Sequence, residues 1–374
     1  MAQRLLKDYS GFKCDVVPVP DFPAWDGVNS SNYELIQQAF EPKIVENLFK
    51  TNEQIFLLGD SLIGDFKYAG GVLAPNGCIY GIPARSENVL KIDTSNDSIT
   101  SFGDLPGFNK WYGGVLASNN CIYGIPSDAT NVLKIDTSND SITTFGTISA
   151  DASKYDGAVV APNGCIYCIP YNSTQVMKID PTDDSISFFG SLDATISKYN
   201  GGVLAPNGCI YCIPENATQI LKIDTSNDSI TTFGSLSGTF KYRFGVLAPN
   251  GCIYGLLYNA TSILKIDPTN DSISTFGNIS VGTLPYMGGA LAPNGFIYCI
   301  PYRVNTLLKI DTKNDDIHVI NTELSGDYKY VGGVLAPNNC IYAVQSFAEK
   351  ILKIRLNDIN YPIDFCLSKY VNKL

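Results

Sequence analysis

Histidine is almost missing from this 374-residue chain, which holds a single one, His318. That leaves no histidine-based catalytic pair and no His-Glu-x-x-His metal helix, and neither a glycine-rich phosphate loop nor a nucleophile elbow occurs. Positive charge is short as well. The 26 Lys and Arg against 36 Asp and Glu give a formal net charge of −10, so nucleic acid is not an expected partner. No run of about 18 apolar residues exists, so no membrane partner is expected either. The first residues also lack the continuous apolar core of a secretory signal. The expectation is a soluble, cytoplasmic protein, in which the sequons at Asn96, Asn172, Asn216 and Asn259 are by-products of Asn- and Ser-rich turns.

Cysteine is not scarce, at 11, but its placement argues against disulfides and metal. Cys78, Cys121, Cys165, Cys209, Cys252 and Cys340 occupy one repeated position, where Phe296 stands once. A phenyl ring replacing a thiol marks an apolar packing slot. The CxxC spacings at Cys165/Cys168 and Cys209/Cys212 put their two thiols on opposite faces of a strand. Reduced thiols acting as small hydrophobes are expected, with no cofactor and no metal.

The repetition itself is what the sequence has in abundance. Aligned on "GGVLAPNGCIYGIP" (70–83), the chain gives Gly71, Gly114, Ala158, Gly202, Gly245, Gly289 and Gly333, spaced by 43 or 44 residues. Such a period belongs to architectures whose units cannot bury their faces alone. Within one unit, four short runs rich in Val, Ile, Tyr and Phe alternate with turn residues, and no helical spacing occurs. They predict strands A (Gly70 to Ala74), B (Cys78 to Ile82), C (Val89 to Asp93) and D (Ile99 to Phe102). Ala-Pro-Asn-Gly suits a tight A-to-B turn, and Asn120 and Asn339 replace its glycine with the residue that best tolerates positive φ. In the C-to-D turn, Asp93, Ser95 and Asp97 have the alternate spacing of a calcium loop but lack its glycine and distal glutamate, so a plain hairpin turn is the reading.

Seven four-stranded units predict an all-β fold, a seven-bladed β-propeller. The paired glycines fall on strand A, nearest the axis, where backbones must approach closely. The seventh unit has no D strand after "ILKIRLND", whereas Ile55 to Leu58 matches one and is expected to close the ring. The propeller then covers 53–357. It is flanked by an extension, 1–52, with helical spacing over 31–50 interrupted by Pro42, and by a tail, 358–374.

In a propeller the A-to-B and C-to-D turns share one face, and the B-to-C and D-to-A loops share the other. The first set barely changes from unit to unit; the second differs in every blade and is the candidate binding face. At the entrance to strand A on that face, Lys67, Lys110, Lys154, Lys198, Lys241 and Lys329 recur, with Pro285 the exception. Each position is followed by an aromatic, Tyr68, Trp111, Tyr155, Tyr199, Tyr242, Tyr286 or Tyr330. The next position varies freely as Ala69, Tyr112, Asp156, Asn200, Arg243, Met287 and Val331. Two readings stand: a partner-binding rim including Tyr112 and Arg243, suited to an acidic peptide or glycan, or tyrosines packed between blades with snorkelling lysines. A second series, Lys91, Lys134, Lys178, Lys222, Lys265, Lys309 and Lys353 in strand C, suggests a repeated ion pair between blades.

The pattern "GGVLAPNGCIYGIP…VLKIDTSNDSI" resembles NHL- and YVTN-like propeller repeats. It is most similar to the GGVLAPNG-x-IYGIP repeats of protists, algae and their large DNA viruses, although cysteine stands where such repeats often carry lysine. That resemblance implies the fold and leaves activity open. The functional expectation is a non-enzymatic protein-interaction scaffold or structural component of a larger assembly, including a giant-virus particle. A carbohydrate or small-ligand binder is the alternative. A gluconolactonase-like metal-dependent hydrolase is third, since its Glu, Asp and Asn ligands cannot be assembled from the sequence.

Overall fold

Turn chemistry and alternating β-branched residues produce the expected meander in all seven units. The computed structural model describes residues 53–279 and 284–356. The helical spacing over 31–50 and the tail lie outside the described residues. Clustering of contacts sets Ile55–Arg355 apart as one compact unit. Seven four-stranded antiparallel sheets make up that unit, and each begins with its strand A, from Tyr68–Leu73 in blade 1 to Tyr330–Leu335 in blade 7. Blade 7 takes its outermost strand, Gln54–Leu58, from the start of the propeller, paired beside Ile351–Arg355. The closure expected from the sequence is therefore present.

Strand A carries one extra residue against strand B: Tyr68 pairs with Pro83, but Gly71 pairs with Gly81. The bulge needs a positive φ, which Gly70 supplies at 97°. Gly113, Gly157, Gly201, Gly288 and Gly332 repeat it, and each lies against the backbone of the next blade. A Cβ on Gly288 would stand 2.6 Å from Gly332 Cα, and one on Gly332 would stand 3.3 Å from Gly70 Cα. The axis is thus ringed by backbone, with one exception at Phe244 (φ 59°) in blade 5.

Strand B is buried from end to end in the "CIYGIP" runs, and the cores lie between blades. Tyr123 and Ile125 of blade 2, for example, pack with Tyr155, Ile166 and Cys168 of blade 3. The repeated cysteines are free thiols, and so are Cys168, Cys212 and Cys299 further along strand B, whose thiols burial pushes up.

On the repetitive face, among the described residues, six blades are tied to their neighbours through the neighbour's C-to-D turn. Lys91 pairs with Asp140 at 2.6 Å, and Tyr80 donates to the same carboxylate at 2.7 Å. The same pair recurs as Lys134–Asp184, Lys178–Asp228, Lys222–Asp271 and Lys265–Asp315. Lys353–Asp97 closes the belt from blade 7 to blade 1. In blade 6 the Lys309 ammonium lies 4.2 Å from the centre of the Phe296 ring. The bound aspartates occupy left-handed backbone at φ 56–62°, which aspartate tolerates better than most side chains.

Burial opposes ionisation at Asp228 and Asp271, but hydrogen bonds from Lys178 and Tyr167, and from Lys222 and Tyr211, outweigh it and hold both carboxyls below the ordinary range. Groups so depressed stabilise the fold fully above the unfolded value, about 4, and lose that contribution as pH falls through the folded value. The Asp228→Asn/Asp271→Asn double variant should therefore melt lower than the parent at neutral pH. The gap should narrow as pH falls below about 4, as melting curves at successively lower pH would show.

Candidate functional site at the variable face

The lysine and aromatic series of this face is buried, not displayed. Lys67, Lys110, Lys154, Lys198, Lys241 and Lys329 retain at most 6% exposure, and Tyr68, Trp111, Tyr155, Tyr199, Tyr242, Tyr286 and Tyr330 at most 3%. The ammonium groups are consumed by carbonyls. Lys110 Nζ donates to Ala84, Ser86 and Gly107, and Lys241 Nζ to Glu215, Ala217 and Gly238, all at 2.9–3.1 Å. Main-chain bonds reinforce the latch, since Lys198 N donates to Tyr171 of the preceding blade while Lys198 O accepts from Glu215 N in its own. Burial pushes these ammonium groups down, Lys110 to about 8. The residue before each latch position is in left-handed backbone although none is glycine: Phe66, Asn109, Ser153, Ser197, Phe240, Leu284 and Tyr328. Such strain persists where surrounding bonds over-determine it.

The aromatics fill the cores between blades, Trp111 with Tyr80 and Ile82, its Nε1 donating to the Asn131 carbonyl at 2.9 Å. An exposed rim of cations and rings is therefore not what these thirteen positions build. Their repetition is the signature of scaffold. The other two rim candidates, Tyr112 and Arg243, belong to the group at the axis.

Two features distinguish this face. The first is apolar and outward. Leu62, Ile63, Phe108, Ile196 and Phe240, all on D-to-A loops, are 38%, 91%, 77%, 67% and 43% exposed. They surround the mouth on the loops entering blades 1, 2, 4 and 5, beside shallow clefts such as the one lined by Ile63, Arg85 and Phe108.

The second feature is polar and axial, built from the position after each aromatic and from the first residues beyond strand B. Arg243 grips Glu215 with two bonds, Nε to Oε2 at 2.8 Å and Nη2 to Oε1 at 3.0 Å. Its guanidinium stacks over the Tyr258 ring at 3.9 Å and reaches Tyr171, two blades away, at 3.4 Å. Asn200 donates to Asp156 at 2.7 Å. Burial raises the Asp156 carboxyl to about 7, against the opposing pull of Arg243. Burial also raises the Tyr112 hydroxyl to about 12, with Asp156 adding to the effect. Phe244, Leu284 and Tyr328 complete an apolar sector with Tyr258, Met287, Tyr302 and Val331. Sequence reasoning noted the variable series but missed Glu215 and Tyr171. A glutamate where other units carry Ala84, Ser127 or Tyr171 was the available signal.

No group of three or more His, Cys, Asp or Glu suited to a metal occurs among the described residues. The fold and this face define the class: a seven-bladed β-propeller repeat protein with a diversified loop face. A model of the family described as "Repeat of unknown function (DUF6923)" matches residues 161–325. No curated protein matches the chain in sequence. Among solved structures, a streptogramin B lyase is 16% identical, with a TM-score of 0.69 over 81% of this chain and 98% of its own. A catalytically inactive virginiamycin B lyase from Staphylococcus aureus with quinupristin is also 16% identical, with a TM-score of 0.71 over 82% of this chain and all of its own. YCF48 bound to D1 peptide is 9% identical, with a TM-score of 0.62 over 83% and 96%. Identities this low share the fold alone.

Proposed function

We propose that the chain is a non-enzymatic binding scaffold that docks a protein partner on the crown of its D-to-A loops. The observation that carries this reading is the concentration of exposed large apolar side chains there, five of them on one face. Apolar tips held on a rigid ring bind without the entropic loss of ordering a mobile surface. YCF48, a propeller of the same fold, has a peptide as its partner in the structure named above, and the parallel supports a protein ligand. The opposite face, with its belt of repeated ion pairs, serves to hold the ring.

The test compares capture from the native source by the intact chain, by Ile63→Glu/Phe108→Glu/Ile196→Glu, and by a control altered at Phe188 on an outer strand. Every protein is first checked for an unchanged melting temperature. A partner retained by the control and lost about tenfold or more by the triple variant is the expected result. Equal capture by all three would remove the crown from consideration.

A further inference from the structure

The axial group is unevenly built, and the imbalance points to a ligand. Its formal charges are Arg243, Glu215 and Asp156, and the first two neutralise one another. Asp156 makes no ion pair among the described residues; it accepts only the Asn200 amide. Asn200 is fully buried, yet its Oδ1 has no hydrogen-bond partner, and Ser346 Oγ, at the position in blade 7 that Glu215 holds in blade 4, has none either. Buried acceptors left without donors are uncommon and costly. The apolar sector of Phe244, Met287, Tyr302 and Val331 adjoins the polar group through Arg243, whose Nη1 lies 3.9 Å from Met287 Sδ. There Phe244 places a ring where six blades have glycine, in left-handed backbone that a bulky residue seldom adopts.

We propose that this axial mouth binds an alkylammonium group, a cation on an apolar stem, supplied either by a free amine or by a lysine side chain of a partner. The ammonium carries three donors and no acceptor, which suits Asp156 and the unsatisfied Asn200 oxygen. The stem lies against Met287, Val331 and the aromatic rings, whose faces also attract cations. One positive charge leaves the axial group neutral overall. The proposal stands apart from the loop-tip reading, because none of these residues is on the crown.

Binding has a proton balance. Below about pH 7 the Asp156 carboxyl is largely protonated, so an incoming ammonium displaces that proton and leaves a carboxylate–ammonium pair. The other groups facing it are Tyr112, Tyr171, Glu215, Arg243 and Tyr258. Burial holds the three tyrosines above their usual range and therefore neutral, and the arginine stays charged. Affinity should accordingly rise about tenfold from pH 6 to pH 8, with proton release near pH 6.5.

The experiment is calorimetric titration of the full chain with n-butylammonium, with the peptide Ala-Ala-Lys-Ala-Ala, and with neutral n-butanol, at pH 6 and pH 8 in buffers of different ionisation enthalpy. The expected result is saturable uptake of a cation, tighter at pH 8, absent for n-butanol, and weakened about tenfold or more by Asp156→Asn. Uptake of n-butylammonium without uptake of the peptide assigns the free amine as the source. Uptake of the peptide alone assigns a partner's side chain. Absence of saturable binding of either cation to the parent protein at pH 8 would overturn the proposal. So would an affinity indifferent to pH, a comparison that needs no variant and does not depend on Asp156→Asn folding normally.

Discussion

Replacing Gly288 with alanine should destabilise the propeller by about 3 kcal/mol or more, or prevent soluble expression, whereas Gly77→Ala should cost only about 1 kcal/mol. Both glycines have positive φ, 95° and 78°, so the backbone penalty is similar. What differs is the surroundings. A Cβ at Gly77 meets nothing within 4 Å, while at Gly288 it would stand 2.6 Å from Gly332 Cα and 2.8 Å from Gly332 N. Those are main-chain atoms of the adjacent blade, fixed by their own strand pairing, and no rotamer change can clear them. Relief requires two blades to separate at the axis, and in a closed ring that displacement passes to the other five. Denaturant melts of the two variants against the parent decide the matter. Equal losses would mean that the axial glycines serve only their φ angles, not the close approach of backbones.

The second large effect concerns the buried pair at the axis. Glu215→Gln should cost about 3–5 kcal/mol, because Arg243 would keep its charge in a site where no other carboxylate grips it. The exposures are 0% for the Glu215 side chain and 13% for that of Arg243, so water offers little compensation. Removing both charges together, as Glu215→Leu/Arg243→Met, should recover most of the loss, since apolar replacements of a buried pair are often neutral. The thermodynamic cycle through the single variants should show a coupling above about 2 kcal/mol. If Glu215→Gln melted within about 1 kcal/mol of the parent, the pair would be ornamental and Arg243 would be held by Tyr171 and Tyr258 alone.

Much of the fold was readable in advance, for reasons visible in particular residues. The run Val89–Asp93 falls where alternation and the flanking turn place it, and Ile55 to Leu58 betrays its role because it matches the strand that the last unit lacks. The Lys91 series anticipated the belt of ion pairs, since an invariant cation within a repeated scaffold must meet an equally repeated anion. The variable face was harder to read. Lys154 and Tyr155 looked like a display of charge and ring because the sequence reports which residues recur and is silent on burial. Their ammonium partners are backbone carbonyls, which carry no residue identity at all. The axial group escaped for the opposite reason. Asp156, Asn200, Glu215 and Arg243 each occur once, spread over three units, and only the curvature of the ring brings them and Tyr171, positions 28 to 72 residues apart, into contact.

Ring closure also fixes an order of events during synthesis. The outermost strand of blade 7, Gln54–Leu58, leaves the ribosome before any complete blade, but its partner Ile351–Arg355 emerges last. Six blades can form in sequence, each from its own local meander, while that first strand waits without a neighbour. During the interval its edge, with Phe56 and Leu57, is open to other nascent chains. The moment of greatest hazard for this protein is therefore set by the time needed to translate the whole ring, and a chaperone that shielded one five-residue strand would protect the entire assembly.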